Sequence, residues 1–204
     1  MSSTEEVAVR FRCVRVATED QRAVAGAIRH RAYCSCGAIA PRAEGMFNDR
    51  YDEWPNCVTY LLLERDEPVA SIRACAFAAG FGRRPIPAFE VYRDAIETEI
   101  GLDRTIVESN RFVFDPEYRR HSLVPKLHLF RNIASTALLH NADFIITAVR
   151  SKHEDFYAKL GFRPISDERT YPGLLVPMIL LACDCRSALP RMLENRAFSS
   201  IFLG

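Results

Sequence analysis

A single acidic residue stands inside an apolar, alternating stretch of this sequence. Between Thr105 and Phe114, strict alternation gives Glu108 the same phase as Ile106, Phe112 and Phe114, so an extended strand would turn its carboxyl toward an apolar face. Burial among apolar neighbours raises a carboxyl pKa, which suits a general base that takes a proton from an ammonium, directly or through a bridging water. The other reading is an ion pair with Arg111. Three-residue spacing puts those two on opposite faces of a strand unless the strand carries a bulge. Arg29 and Tyr33 are four apart in a helical stretch and so share one helix face.

The elements that must position these residues are legible in the periodicity. Val7 to Val16 alternates and reads as a strand. Thr18 caps a helix from Glu19 to about Tyr33, with Asp20 and Gln21 near the capping positions. Cys34 to Asn56 holds Gly37, Pro41, Gly45 and Pro55 and has no period, so it reads as a long loop, a feature that in compact domains is functional or disordered. Cys57 to Glu64 and Val69 to Ala78 form a hairpin turned by the residues from Arg65 to Pro68. A short helix lies within Pro87 to Ile100, and the strand from Thr105 to Phe114 follows. Leu123 to His140 is an amphipathic helix, followed by a strand from Phe144 to Val149. Then come a short helix from Glu154 to Leu160 stopped by Gly161, strands from Phe162 to Arg169 and from Leu174 to Cys183, and a terminal helix from Leu189 to Leu203. The order is mixed α/β (α+β), with an antiparallel run giving way to a strand-helix-strand crossover.

With 204 residues, 49% hydrophobic and 26% charged, the chain reads as one folded unit, residues 1–204, with a substantial core. The formal charge of +1 argues against nucleic acid as a partner. The first residues are neither basic nor apolar, and the longest apolar run, Leu174 to Cys183, is too short to span a bilayer, so the expectation is a cytoplasmic protein without a membrane span. There, the seven cysteines would stay reduced. The Cys-x-Cys pairs Cys34/Cys36 and Cys183/Cys185 lack the knuckle spacing of structural zinc sites, so no metal is expected.

Phe156-Tyr157-Ala158-Lys159-Leu160-Gly161-Phe162 resembles the signature near the end of GNAT-fold acyltransferases, in which an aromatic helix face, a glycine cap and an aromatic strand residue wall a cofactor channel. Four further matches resemble the branch holding N-acyl amino acid synthases and acyl-homoserine-lactone (autoinducer) synthases: Arg29 with Tyr33, Asp49 with Asp52, Arg73 on the hairpin, and Glu108 with Arg111. The resemblance implies a GNAT-like fold, whose mixed central sheet has a splayed strand pair and flanking helices, and a bulge in the strand of Glu108. It implies Glu108 and Arg111 as catalytic residues. Arg29, Tyr33, Asp49, Asp52, Arg73, Phe112, Val113, Tyr157 and Phe162 follow as substrate-binding residues. The charged members would form either a salt-bridge network that orders the long loop or a clamp for a substrate carboxylate.

The same resemblance speaks to the donor. Coenzyme A-dependent GNAT enzymes carry a glycine-rich turn that cradles the diphosphate on backbone amides. Arg119, Arg120, His121 and Ser122 offer no glycine there, and Pro125 removes another amide. This favours an acyl carrier protein over acyl-coenzyme A as the source of the acyl-phosphopantetheine thioester. Arg119, Arg120 and Lys126 supply a local basic surface for an acidic carrier, or else the solvated start of an ordinary helix. Lactone synthases have a tryptophan where this chain has Ile39, which favours an amino acid acceptor. The expected reaction moves a long acyl chain onto the amine of an amino acid. The rivals are lactone synthesis from S-adenosylmethionine, acetyl transfer from acetyl-coenzyme A, and an inactive GNAT-like binding module.

Overall fold

The computed structural model describes residues 11–118, 123–171 and 173–188. The expected strand residues 7–10, the turn at 119–122 with Arg119 and Arg120, and the expected terminal helix at 189–203 lie outside the described residues.

Strands β1 (Phe11–Arg15), β2 (Cys57–Glu64), β3 (Glu67–Phe77) and β4 (Ile106–Phe114) pair antiparallel in sequence order, and β5 (Phe144–Val149) joins β4 in parallel. β8 (Pro177–Asp184) pairs antiparallel with β5 and carries the two-residue strands β6 (Arg163–Pro164) and β7 (Arg169–Thr170). Helix α1 spans Glu19–Ser35, α2 Phe89–Glu99, α3 Leu123–Leu139 and α4 Glu154–Ala158. Among the described residues, no helix is long and apolar enough to cross a membrane.

Local chemistry explains most boundaries. Thr18 and Gln21 make a reciprocal capping box at the start of α1. The hairpin turn is tighter than expected. Arg65 and Asp66 both adopt positive φ, 50° and 69°, and Glu64 pairs directly with Glu67, the two-residue geometry whose twist matches that of the strands. Pro68 therefore sits inside β3, at a register irregularity and before β4 begins to pair at Ala70, so its missing donor costs the ladder nothing. The expected strand from Phe162 to Arg169 is instead broken. Pro164 lacks a donor, and the Ser166 hydroxyl takes the Leu180 N–H at 3.0 Å where a backbone carbonyl would have stood. Gly161, at φ 85°, closes α4, and the Phe162 N–H reaches the Tyr157 carbonyl at 3.1 Å, the six-to-one bond of a glycine-capped helix.

The sheet has an apolar layer on each face. One holds Ala70, Ile72, Val107, Ile145 and Leu181 against Leu127, Phe130 and Ile133 of α3 and Tyr157 and Phe162 at α4. The other holds Cys75, Phe77, Ile106, Ile146 and Leu180 against Tyr92 and Ile96 of α2.

Candidate active site

The site lies where β4 changes phase. Ser71 pairs with Val113 and Arg73 with Asn110, so a step of two residues on β3 spans three on β4. The extra residue is Arg111, held at φ 54°. This is the bulge that the family resemblance implies, and it overrides the strict alternation read from the strand's own pattern. Glu108 keeps the face of Ile106, beside α2, whereas Phe112 and Phe114 cross to the α3 face and pack on each other. Val113 packs against α1 with Ala25 and Ile28. A bulge also bends its strand and sharpens its twist, and β4 follows β3 away from β5. The β4–β5 ladder runs from Ile106/Phe144 to Ser109/Thr147 and ends there. Beyond it, β4 stays tied to β3 through Val113 and Phe114, and β5 to β8 through Val149. The closed end is pinned by the Thr105 N–H on the Asp143 carboxylate, 3.0 Å.

Glu108 lies at the throat of this opening, 1% exposed. One carboxylate oxygen accepts the Ala88 N–H at 2.8 Å, and the other the Asn110 side-chain amide at 2.9 Å. Ala88 precedes α2, whose first amides have no carbonyl partner within the helix and whose dipole favours an anion. Burial nevertheless dominates. It pushes the Glu108 carboxyl up to about 7, against the lowering effects of these two bonds and of Arg73 and Arg111.

The charged residues expected on the long loop and on the sheet meet beside it. Asp49 and Asp52 bracket a 3₁₀ turn at Arg50–Glu53 as a capping box: the Asp52 carboxylate takes the Asp49 N–H at 3.0 Å, and the Asp49 carboxylate takes the Tyr51 N–H at 2.9 Å. That three-residue spacing turns both carboxylates toward the sheet. Arg29 donates to both oxygens of Asp52 at 2.8 and 3.0 Å, to the Thr59 hydroxyl at 2.9 Å and to the Ser71 hydroxyl at 3.3 Å. Arg73 forks onto Asp49 at 2.7 and 3.0 Å and donates from Nε to the Asn110 carbonyl at 2.8 Å. Arg111 donates from Nη2 to Asp49 at 2.5 Å and stacks over Phe47, 4.6 Å from the ring centre. The bulge thus brings Arg111 to the Glu108 side, but its carboxylate partner is Asp49. Burial pushes Asp52 up, and Arg29 and Arg73 outweigh it, holding the carboxyl below its ordinary value. Tyr33 packs edge-on against Phe47, 5.0 Å between ring centres.

On the opposite face, Tyr157 and Phe162 stack edge-to-face at 5.4 Å, and burial raises the Tyr157 hydroxyl well above its ordinary value. Lys126 extends over the Phe156 ring at 5.5 Å. The Cys183 and Cys185 side chains are buried, and among the described residues no three His, Cys, Asp or Glu side chains gather in a way that could hold a metal. Asn110, Ala88, Thr59 and Ser71 were not singled out from the sequence as site residues. Asn110 had a signal, lying between Glu108 and Arg111; the Ala88 amide has none, because a backbone donor carries no side-chain identity.

The fold resembles solved acyltransferases. A structure of FeeM, an N-acyl amino acid synthase from uncultured soil microbes, superposes with a TM-score of 0.75 at 20% identity, over 91% of this chain and 96% of that one. The acyl-homoserine-lactone synthase LasI gives 0.65 at 13% identity, over 95% and 94%. A Lactobacillus plantarum protein described as a putative N-acetyltransferase gives 0.57 at 17% identity, over 86% and 98%. No curated protein sequence matches the chain significantly. Residues 24–184 match the family described as N-acyl amino acid synthase FeeM, and the chain belongs to that family, as an N-acyltransferase with a GNAT-like fold.

Proposed function

We propose that this protein transfers a long acyl chain from an acyl carrier protein to the amine of an amino acid. The observation that carries this reading is the placement of a buried carboxyl, which burial pushes up to about 7, where two parallel strands part. A pantetheine arm entering from the α3 side would lie between β4 and β5, bonding through its amides to the unpaired strand edges. Its thioester would meet Glu108 beyond Ser109 and Thr147. Tyr157 and Phe162 would wall the arm's side, with Phe112 and Val113 on the parted strand.

The acceptor arrives as an ammonium. Glu108, ionised, takes one proton, and the freed amine attacks the thioester carbon. Backbone amides of the parted strand would polarise the thioester carbonyl and stabilise the developing oxyanion. The C–S bond breaks, the nitrogen releases its second proton, and the sulfur leaves as the free thiol of the carrier. A base whose pKa lies near the working pH is the most effective for this step. The charged network of Arg29, Asp52, Arg73, Asp49 and Arg111 holds the loop across the sheet and fixes the site's floor. The donor reading rests on the missing glycines at 119–122 together with Arg119, Arg120 and Lys126.

The test is to incubate purified protein with a long-chain acyl carrier protein and mixed amino acids, measuring free thiol and product mass. N-acyl amino acids are expected. Lactones formed with S-adenosylmethionine, or transfer from acetyl-coenzyme A alone, would replace this reading with the corresponding rival. Binding without turnover on any acceptor would make the protein a binding module.

A further inference from the structure

The network beside Glu108 is unbalanced. The guanidiniums of Arg29, Arg73 and Arg111 face the two carboxylates of Asp49 and Asp52. Arg29 and Arg73 use their donors on Asp52, Asp49, Thr59, Ser71 and Asn110. Arg111 bonds to Asp49 alone, and its Nε is closed off from solvent without a partner. Leaving a charged donor unmet in a buried site carries the full cost of its desolvation, a cost that an acceptor from outside the chain would remove. Glu108 does not fill this role, because its oxygens are engaged by Ala88 and Asn110.

A second buried donor is also unmet. The Tyr171 hydroxyl has no partner. Its ring packs 5.6 Å from Tyr92 in the layer that walls Glu108, and also in the cluster of Ile39, Phe47 and Leu174 that underlies Arg111. Tyr171 therefore stands at the junction of the two walls, within electrostatic reach of both the Glu108 carboxyl and the Arg111 guanidinium.

We propose that Arg111 Nε and the Tyr171 hydroxyl form the subsite for the acceptor's α-carboxylate, with the acceptor's amine directed to Glu108. This inference rests on the amine-acyltransferase reading and deepens it. In an α-amino acid the nitrogen and the carboxylate are attached to one carbon, so the groups that receive them must lie close together; the bulge turns Arg111 to the Glu108 side, and Tyr171 packs in both walls. The guanidinium edge offers only donors, and the phenol has an O–H to donate as well. That combination receives a carboxylate and favours an acceptor that carries one over an amine that does not.

The experiment compares two product-like probes by calorimetry: N-lauroyl-alanine, and N-ethyl-lauramide, which differs only in lacking the carboxylate. Wild-type protein should bind the acid about tenfold tighter or more, and Tyr171→Phe should reduce that preference severalfold by removing one hydrogen bond to a charged group. A merely structural role for Tyr171 would weaken both probes equally and leave the ratio unchanged, which overturns the subsite, as does wild-type binding with no preference. A preference that depends on Tyr171 in a protein that releases no thiol would keep the subsite and reject the transferase reading. Thiol release with acceptors whether or not they carry a carboxylate would do the reverse.

Discussion

The side-chain amide of Asn110 stands between the Glu108 carboxylate and the Arg73 guanidinium, donating to Glu108 at 2.9 Å and accepting from Arg73 at 2.8 Å. The arginine is thereby committed to Asp49, Asp52 and Asn110 and makes no ion pair with Glu108. Such a pair would hold the glutamate below its ordinary value and make it a poor base. As built, two neutral donors, the Asn110 amide and the Ala88 N–H, steady the carboxylate while burial keeps its pKa near neutrality.

Removing that amide has a signed consequence. The Asn110 bond favours the charged form of Glu108, so Asn110→Ala should raise the glutamate's pKa further. The rising limb of kcat/KM against pH should move up by roughly one pH unit. A limb that stays in place would mean Asn110 does not set the base.

The raised pKa also costs stability. A carboxyl lifted from 4.5 to about 7 by folding lets the native state hold its proton over a window where the unfolded chain has lost it. Its contribution is complete below about 4.5 and is lost as pH rises through about 7. Glu108→Gln removes this dependence. Measured by urea unfolding, the variant's stability relative to wild type should improve by up to about 3 kcal/mol between pH 5 and pH 8. A difference that does not change with pH would show the carboxyl to be unperturbed.

Asp52 holds two buried arginines at 2.8 and 3.0 Å. Asp52→Ala should therefore cost about 3–5 kcal/mol, since it leaves the buried Arg29 without its carboxylate. Replacing both partners, as in Arg29→Met with Asp52→Leu, should recover much of the loss. Equal destabilisation of the single and double variants would show that other contacts hold the loop.

The basic residues Arg119, Arg120 and Lys126 make a separable prediction. Changing all three to glutamate should raise KM for an acyl carrier protein by about tenfold or more, while a short pantetheine thioester that carries no protein is used as before. An equal loss with both donors would place these residues in the folding of the helix start and remove them from carrier docking.

Elements with a strong period were legible in the sequence. The hairpin strands, α1 with its capping box and α3 all fall close to their expected ranges, because each buries an apolar face set by its own spacing. The Asp49/Asp52 spacing was legible as a pair, and the capping box gives its physical reason. The side-chain direction of Phe112 and Phe114 was not. A bulge at a non-glycine residue leaves no local mark, and Arg111 at φ 54° is held by Asp49 and Phe47, more than sixty residues away in sequence. Tyr171 was also not legible. It follows a segment whose strand character is interrupted by Pro164 and by the Ser166 side chain, so no alternation pointed it toward the site. Long-range pairing decides both cases.

In the proposed reaction everything depends on Glu108 taking the proton from the acceptor amine. The most direct measurement of that step is kcat/KM for acyl transfer to an amino acid across pH 5 to 9, in wild type and in Glu108→Gln. Wild type should rise through a limb near 7, and the variant should be slower by at least ~100-fold and lack that limb. A variant that retains both the rate and the limb would contradict the account.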